Sequence, residues 1–399
     1  MKRIRNLIAA SPRRFHSHAR AHRASLIIGL ELFALLLLTC AWAYRGGLLP
    51  FLGGNQNTGQ ASVSSGSQDG SSIRWVDFDV TAEAMTQAFR CDVATCQQEI
   101  HLNWIDLLAC LGAAYGGDFS LYQPEDLDQL ANRLKSGIPL EEITAKLAQY
   151  PYYREAYGAV LDGMVGLYEI EIPRSEAPDF ALSDAQLLEG DPAARESGSQ
   201  ASEDGAKVWV TKYGLKAFHP LAAGFSYTHF DDFGTSRSYG YERRHLGHDM
   251  MGQTGTPVIA VESGRVEAIG WNQYGGWRLG IRSLDGKRYY YYAHLRKDYP
   301  YRKDLQEGSI VTAGDVIGYM GRTGYSATEN TNNIDDPHLH FGLQLIFDES
   351  RKDEEPEIWI NCYELIQFLS VNRSEAVKKE DTGEWERVYQ MRDPVLSGV

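Results

Sequence analysis

The chain has 399 residues, 43% hydrophobic and 23% charged, an ordinary globular mixture long enough for two or three domains. Its net charge of −14 is unevenly spread: residues 1–45 carry eight Lys/Arg against one carboxylate, Glu31, so they hold +7 and the remainder −21. A chain this acidic excludes nucleic acid held by phosphate contacts, and five cysteines exclude a small disulfide scaffold.

Residues 1–25 are basic and precede an apolar run, LIIGLELFALLLLTCAWAY, from Leu26 to Tyr44. At about 1.5 Å per residue this run matches the hydrocarbon thickness of a bilayer, roughly 30 Å. We read 26–45 as a single transmembrane helix, with Glu31 as its one blemish. The positive-inside rule then sets the N-terminus in the cytoplasm and everything after about residue 46 outside. The rival, a cleaved signal peptide, would have a shorter apolar core and a clearer cleavage site than TCAWAYRGG. Residues 46–73 read as a flexible linker, and the Gly/Ser/Gln-rich part, 53–72, has an r.m.s. reach of about 20–25 Å.

Residues 74–173 read as a helical domain of four or five helices. QPEDLDQLANRLKSG spaces Leu127, Leu130 and Leu134 with a Pro at its start and a Gly at its end. IPLEEITAKLAQY repeats the period, and NWIDLLACLGAAYGG is apolar nearly all round and should be buried. Cys91 and Cys96 sit at a poor spacing for a disulfide on a helix. This domain offers no catalytic constellation, and its role is open. The acidic, small-residue stretch 174–206 reads as a second linker.

From 207 to 370 the texture is all-β: short runs such as TPVIAVESGRVEAIG, KRYYYYAHL and HLHFGLQLIF, punctuated by Gly, Asp and Asn. SLDGK at 283–287 is a hairpin turn. The expected fold is an antiparallel sheet sandwich or barrel-like sheet pair, and 371–399 reads as a charged C-terminal tail.

Two stretches in this region concentrate chemistry. If HLGHD lies on a strand, His245 and Asp249 share a face at i and i+4, and His248 points to the other. The same parity puts His338 and His340 of PHLHF together. Four groups from two strands then converge, and a catalytic zinc needs three protein ligands with one position left open. His294 of YYAHL ends another strand and can join them.

HxGxD, a later AHL and a terminal PHLHF, in this order, resemble the lysostaphin/LytM-type zinc metallopeptidases, peptidoglycan endopeptidases of the duplicated hybrid motif fold. The resemblance covers roughly 215–347 and includes the Gly-punctuated segment GSIVTAGDVIGYMGRTGYS. It implies that His245, Asp249 and His340 bind Zn²⁺. It implies that His294 and His338 move protons, and that an upstream tyrosine, Tyr239 or Tyr241, supports the transition state. The substrate implied is a peptidoglycan peptide on the outer face of the membrane; protein partners are not legible. The alternative is a catalytically silent, wall-facing scaffold that docks partners, although degeneration normally removes a ligand and none is missing. One departure from the family pattern is the polar, acidic segment ATENTNNIDD, which lengthens the loop at 327–336 beside the last histidines.

Overall fold

The computed structural model describes residues 76, 78–173, 186–187, 207–238, 242–347 and 357–398, all within one compact unit, Ser67–Val399. The expected membrane helix at 26–45, most of both linkers and the two tyrosines Tyr239 and Tyr241 lie outside these residues. Among the described residues no helix is long and apolar enough to cross a membrane.

Five helices open the unit: α1 Ala82–Thr95, α2 Trp104–Tyr115, α3 Pro124–Lys135, α4 Leu140–Thr144 and α5 Tyr150–Leu161. Their ends follow capping chemistry. The Thr81 hydroxyl accepts from the Ala84 N–H and the Asn103 side chain from Ile105 and Asp106. Helix α3 starts on Pro124, with Glu125 and Asp126 in its first turn and Arg133 and Lys135 in its last, charges that complement the helix dipole. Leu127, Leu130 and Leu134 form its buried stripe, and α2 is buried along most of its length, as the periodicity predicts.

The helical reading fails at its C-terminal end. Residues Val165–Pro173 form a strand, β1, paired antiparallel along its whole length with β2, Lys207–Leu215, from Val165 opposite Leu215 to Pro173 opposite Lys207. The cause is a period of two: Tyr168, Ile170 and Ile172 are buried while the residues between them are not. Stretch 174–206 therefore leaves and re-enters one sheet, and Gln186–Leu187 adds an edge to β2. The C-terminal stretch is likewise part of the fold. Ala376–Lys378 and Trp385–Arg387 pair as a hairpin, and Met391–Arg392 pairs with β1. Two of its charges are buried: Asp393 meets Lys216 Nζ at 2.9 Å, and Arg387 Nη1 donates to the Ala313 carbonyl at 2.7 Å.

The larger sheet contains β3 Thr228–His229, β4 His248–Met251, β5 Gly264–Asn272, β6 Gly276–Ser283, β7 Arg288–Ala293, β8 Ile310–Val311 and β9 His338–Leu345. They lie in the order β8-β5-β6-β7-β9-β4-β3, all antiparallel, with Ile358–Trp359 added to β9. Alternation assigns the faces. In β9, Leu339, Phe341 and Leu343 are fully buried, while His338 and His340 fall on the opposite face. The apolar face is continuous with the helices, and that core is covered by the short helix α6, Tyr363–Leu369, whose Phe368 packs edge-on against Phe89 and tilted against Trp104. Arg288 anchors the same seam, donating to Glu262 and to the Ala159 carbonyl of α5.

Candidate active site

Three donor atoms meet on the open face of the sheet. His340 stands directly opposite Asp249 in the β9–β4 register, and His338 opposite Met251. His245 arrives differently from the strand parity predicted. It lies in a turn between Glu242–Arg244 and β4, fixed by the hydrogen bonds His245 N to Thr235 O (2.9 Å) and Gly234 N to His245 O (2.8 Å). The break at Leu246–Gly247 brings the imidazole back over Asp249. Gly247 is required there: a Cβ would lie 2.5 Å from the His340 ring.

His245 Nε2 is 3.2 Å from Asp249 Oδ1 and 3.1 Å from His340 Nδ1, and His340 Nδ1 is 2.8 Å from Asp249 Oδ1. Bonds of about 2.0–2.1 Å to a tetrahedral zinc set ligand atoms about 3.3 Å apart, so this triangle fits the ion to within about half an ångström. Two imidazoles and one carboxylate are also a suitable borderline donor set. Among the described residues these three form the one such cluster of potential metal-binding side chains.

A second layer closes a ring behind the triangle. The His245 Nδ1–H donates to Asp232 Oδ1 at 3.1 Å, which leaves the Nε2 lone pair facing the cluster. Arg237 Nη1 donates to Asp249 Oδ2 at 2.8 Å, and its other amino group pairs with Asp232. Two of the three donors are thus tied to each other through Arg237 and Asp232. Burial alone would raise the Asp249 pKa, but the close approach of the His245, His340 and His338 rings reverses this and holds the carboxyl ionised far below its ordinary range. Burial lowers the pKa of His340, and its neutral form suits a ligand.

His294 and His338 flank the cluster, with ring centroids 4.8 Å apart. Each has its Nδ1 pinned by a backbone carbonyl, Thr323 O for His294 and Asp336 O for His338, both at 2.9 Å. Each therefore presents Nε2, and that of His338 lies 3.9 Å from Asp249 Oδ2. His294 follows β7 with φ 60°, a left-handed conformation unusual for a side chain of this size, held by His294 N to Gly275 O at 2.7 Å. Its pKa lies well below the ordinary value, first because it is buried and then because His338 and His340 are near.

His248 points away from the cluster, as its parity predicts, with Nε2 2.8 Å from His229 Nδ1. Tyr239 and Tyr241 cannot be placed, being outside the described residues. Tyr325, also at positive φ (47°), has its ring centroid 5.6 Å from that of His294. Asp232 and Arg237 carry no motif signal, which is why sequence reasoning missed them; Tyr325 lies in the GRTGYS segment that carries the resemblance, to which the sequence reading assigns no role. The long loop at 327–336 is folded down: the Asn330 side chain accepts from Trp277 Nε1 and Asp298 N, both at 2.9 Å, and Asn333 Nδ2 donates to Tyr325 O at 2.7 Å.

Residues 243–353, which hold every member of the cluster and both flanking histidines, match the family described as Peptidase family M23. The L-Ala–D-Glu endopeptidase of Bacillus subtilis (strain 168) is 38% identical over 124 residues, 31% of this chain and 36% of its own. Lysostaphin of Staphylococcus simulans is 39% identical over 98 residues, 24% of this chain and 17% of its own. The solved catalytic domain of that lysostaphin aligns with 35% of this chain and 92% of its own at 30% identity, with a TM-score of 0.27. The chain thus spans about a third or less of the length of these two curated relatives. Residues 243–353 thus match peptidase family M23, and the two curated relatives that this part of the chain resembles are an L-Ala–D-Glu endopeptidase and a lysostaphin.

Proposed function

We propose that this protein is a membrane-anchored, extracytoplasmic zinc metalloendopeptidase that hydrolyses peptide bonds in the cross-links or stems of peptidoglycan. The observation that carries the reading is the convergence of His245 Nε2, Asp249 Oδ1 and His340 Nδ1, with two further imidazoles beside them, inside the segment that matches the family. The name of the Bacillus subtilis relative specifies a bond between an L- and a D-residue, the chemistry of a peptidoglycan stem rather than of a ribosomal protein. The apolar run at 26–45 and the basic residues before it support an anchor that leaves the catalytic domain on the outer face.

His245, Asp249 and His340 would hold the ion. Zinc bound there supplies a Lewis acid that polarises the scissile carbonyl and makes water nucleophilic near neutral pH. The protein's own part is positioning and proton transfer. The backbone carbonyls of Thr323 and Asp336 each accept a hydrogen bond from the Nδ1–H of one histidine, so His294 and His338 direct Nε2 lone pairs into the cleft. One accepts the water's proton and the pair returns a proton to the leaving amine. The Arg237–Asp232 ring keeps the His245 and Asp249 donors aimed. A complete donor set with both proton carriers speaks for hydrolysis over docking alone.

The test is digestion of purified cell wall by the full chain in mild detergent, with fragments identified by mass spectrometry. A chelated sample and a His338→Ala variant run alongside. New free amines in the untreated sample alone are the expected result, and the fragment masses name the bond. Bound zinc without cleavage of any cross-link or stem type would refute hydrolysis.

A further inference from the structure

A pocket of about 260 Å³ lies along the segment that leaves the cleft after His294. One wall is the segment that follows His294, with Arg296, Tyr299 and Lys303; the other is the C-terminal hairpin, with Lys378, Glu384 and Trp385. The first wall continues from the segment that carries His294. Arg296 is two residues beyond His294, and its backbone packs on Gly321, where a Cβ would come within 2.4 Å of the Arg296 Cα. Gly321 in turn bridges to His338.

The pocket carries three cations against one carboxylate. Glu384 is engaged by the Tyr319 hydroxyl and lies 3.9 Å from Lys303. Arg296 and Lys378 have no carboxylate partner among the described residues. Two unneutralised cations in one concavity are conspicuous in a chain of net charge −14. Such a concavity focuses a positive potential and selects an anionic group. Tyr299 is half-exposed and Lys303 Nζ lies over its ring at 5.8 Å, so an aromatic face is also available to a carbon skeleton. The hairpin lies outside residues 243–353, so this wall is not part of the segment shared with the family.

We propose that this pocket is a specificity subsite that takes a free carboxylate of the peptide lying in the cleft, paired with Arg296 and Lys378. The inference rests on the peptidase reading above. A carboxylate is favoured over a free inorganic anion because the Arg296 wall continues from the segment that carries His294, so a peptide in the cleft can deliver one there.

The experiment compares two stem peptides that differ at one position, D-glutamate with its α-carboxylate free and D-isoglutamine with a carboxamide there. Binding is measured by calorimetry and cleavage by mass spectrometry, for the full chain and for Arg296→Gln and Lys378→Gln. The acid peptide is expected to bind about tenfold more tightly than the amide, and each variant to remove most of that preference while leaving the amide peptide unaffected. Acid-selective binding without cleavage would refute the peptidase reading and leave the subsite standing. Cleavage of both peptides with equal affinity would overturn the subsite and leave the peptidase reading standing. Displacement of the acid peptide by equimolar inorganic phosphate, or equal loss of both peptides in the variants, would also overturn the subsite.

Discussion

Adding one methyl group at position 247 is the sharpest test of the metal site. A Cβ there would meet Cε1 and Nε2 of His340 at 2.5 Å and the Phe341 carbonyl oxygen at 2.9 Å. Unbonded carbons rest at about 3.5–4.0 Å, so the imidazole or the 245–249 backbone must retreat by about 1 Å. The His340 ring is rigid, so its Nδ1 moves with it. Metal–ligand distances tolerate about 0.2 Å, a fifth of that displacement. Gly247→Ala is therefore expected to weaken zinc binding by about 100-fold or more. The assay is competition against a chromophoric chelator, with near-ultraviolet circular dichroism to show that the sheet survives. Gly166→Ala is the control, because its Cβ would meet only Lys216 Cε, at an ordinary 3.8 Å. A Gly247→Ala protein that retains one zinc per chain with wild-type affinity would refute the assigned triangle.

Three further outcomes follow from the same geometry. Arg237→Ala releases both Asp249 Oδ2 and Asp232 and is expected to cost about 10- to 100-fold in zinc affinity, with Arg237→Lys between it and wild type; unchanged chelator competition would show that the ring is idle. His294→Ala and His338→Ala are expected to keep one zinc per chain while kcat falls about 10²- to 10⁴-fold, whereas loss of the metal would make them ligands instead. The third concerns stability. His219 is buried, with Nδ1 accepting from the Leu221 N–H and Nε2 against the Tyr227 hydroxyl, and burial lowers its pKa from 6.5 to about 3. The unfolded chain then binds a proton that the native state refuses, so this residue's contribution falls as pH drops from about 6.5 towards 3, by at most about 1.4 kcal/mol per pH unit. His219→Gln should flatten that limb in urea titrations at pH 6, 5 and 4; parallel curves would show that the histidine charges in the native state.

What the sequence made legible is local period. HLHFGLQL alternates cleanly, so the pairing of His338 with His340 could be read from it, and β9 carries both. HLGHD led to the convergence of His245 with Asp249 by a route the chain does not take, since the strand begins only at His248. A turn closed by Thr235 and admitted by Gly247 reaches the same place as an i, i+4 strand pair. Asp232 and Arg237 were illegible because their meaning is a three-dimensional ring, and nothing in DDFGTSR marks it. The charged C-terminal stretch looked like solvated surface for a related reason. Its Asp393 is matched by Lys216, 177 positions away, and no local pattern reports a pair at that separation.

The strand β1 raises a consequence that can be measured. If 174–206 joined two independent domains, shortening it would strain them apart. Instead Pro173 stands opposite Lys207 in an antiparallel pair, so the ends of that stretch are neighbours and a four-residue turn can close them. Replacing 174–206 by such a turn removes about three doublings of loop length, worth about 2 kcal/mol in closure entropy, and forfeits the short pairing of Gln186–Leu187 with β2. The shortened protein is expected to melt within a few degrees of the parent and to bind zinc unchanged. Failure to fold, or loss of the metal, would mean that the stretch holds the helices and the sheet together in a way that the β1–β2 pairing does not, and the shared core between them would have to be redrawn.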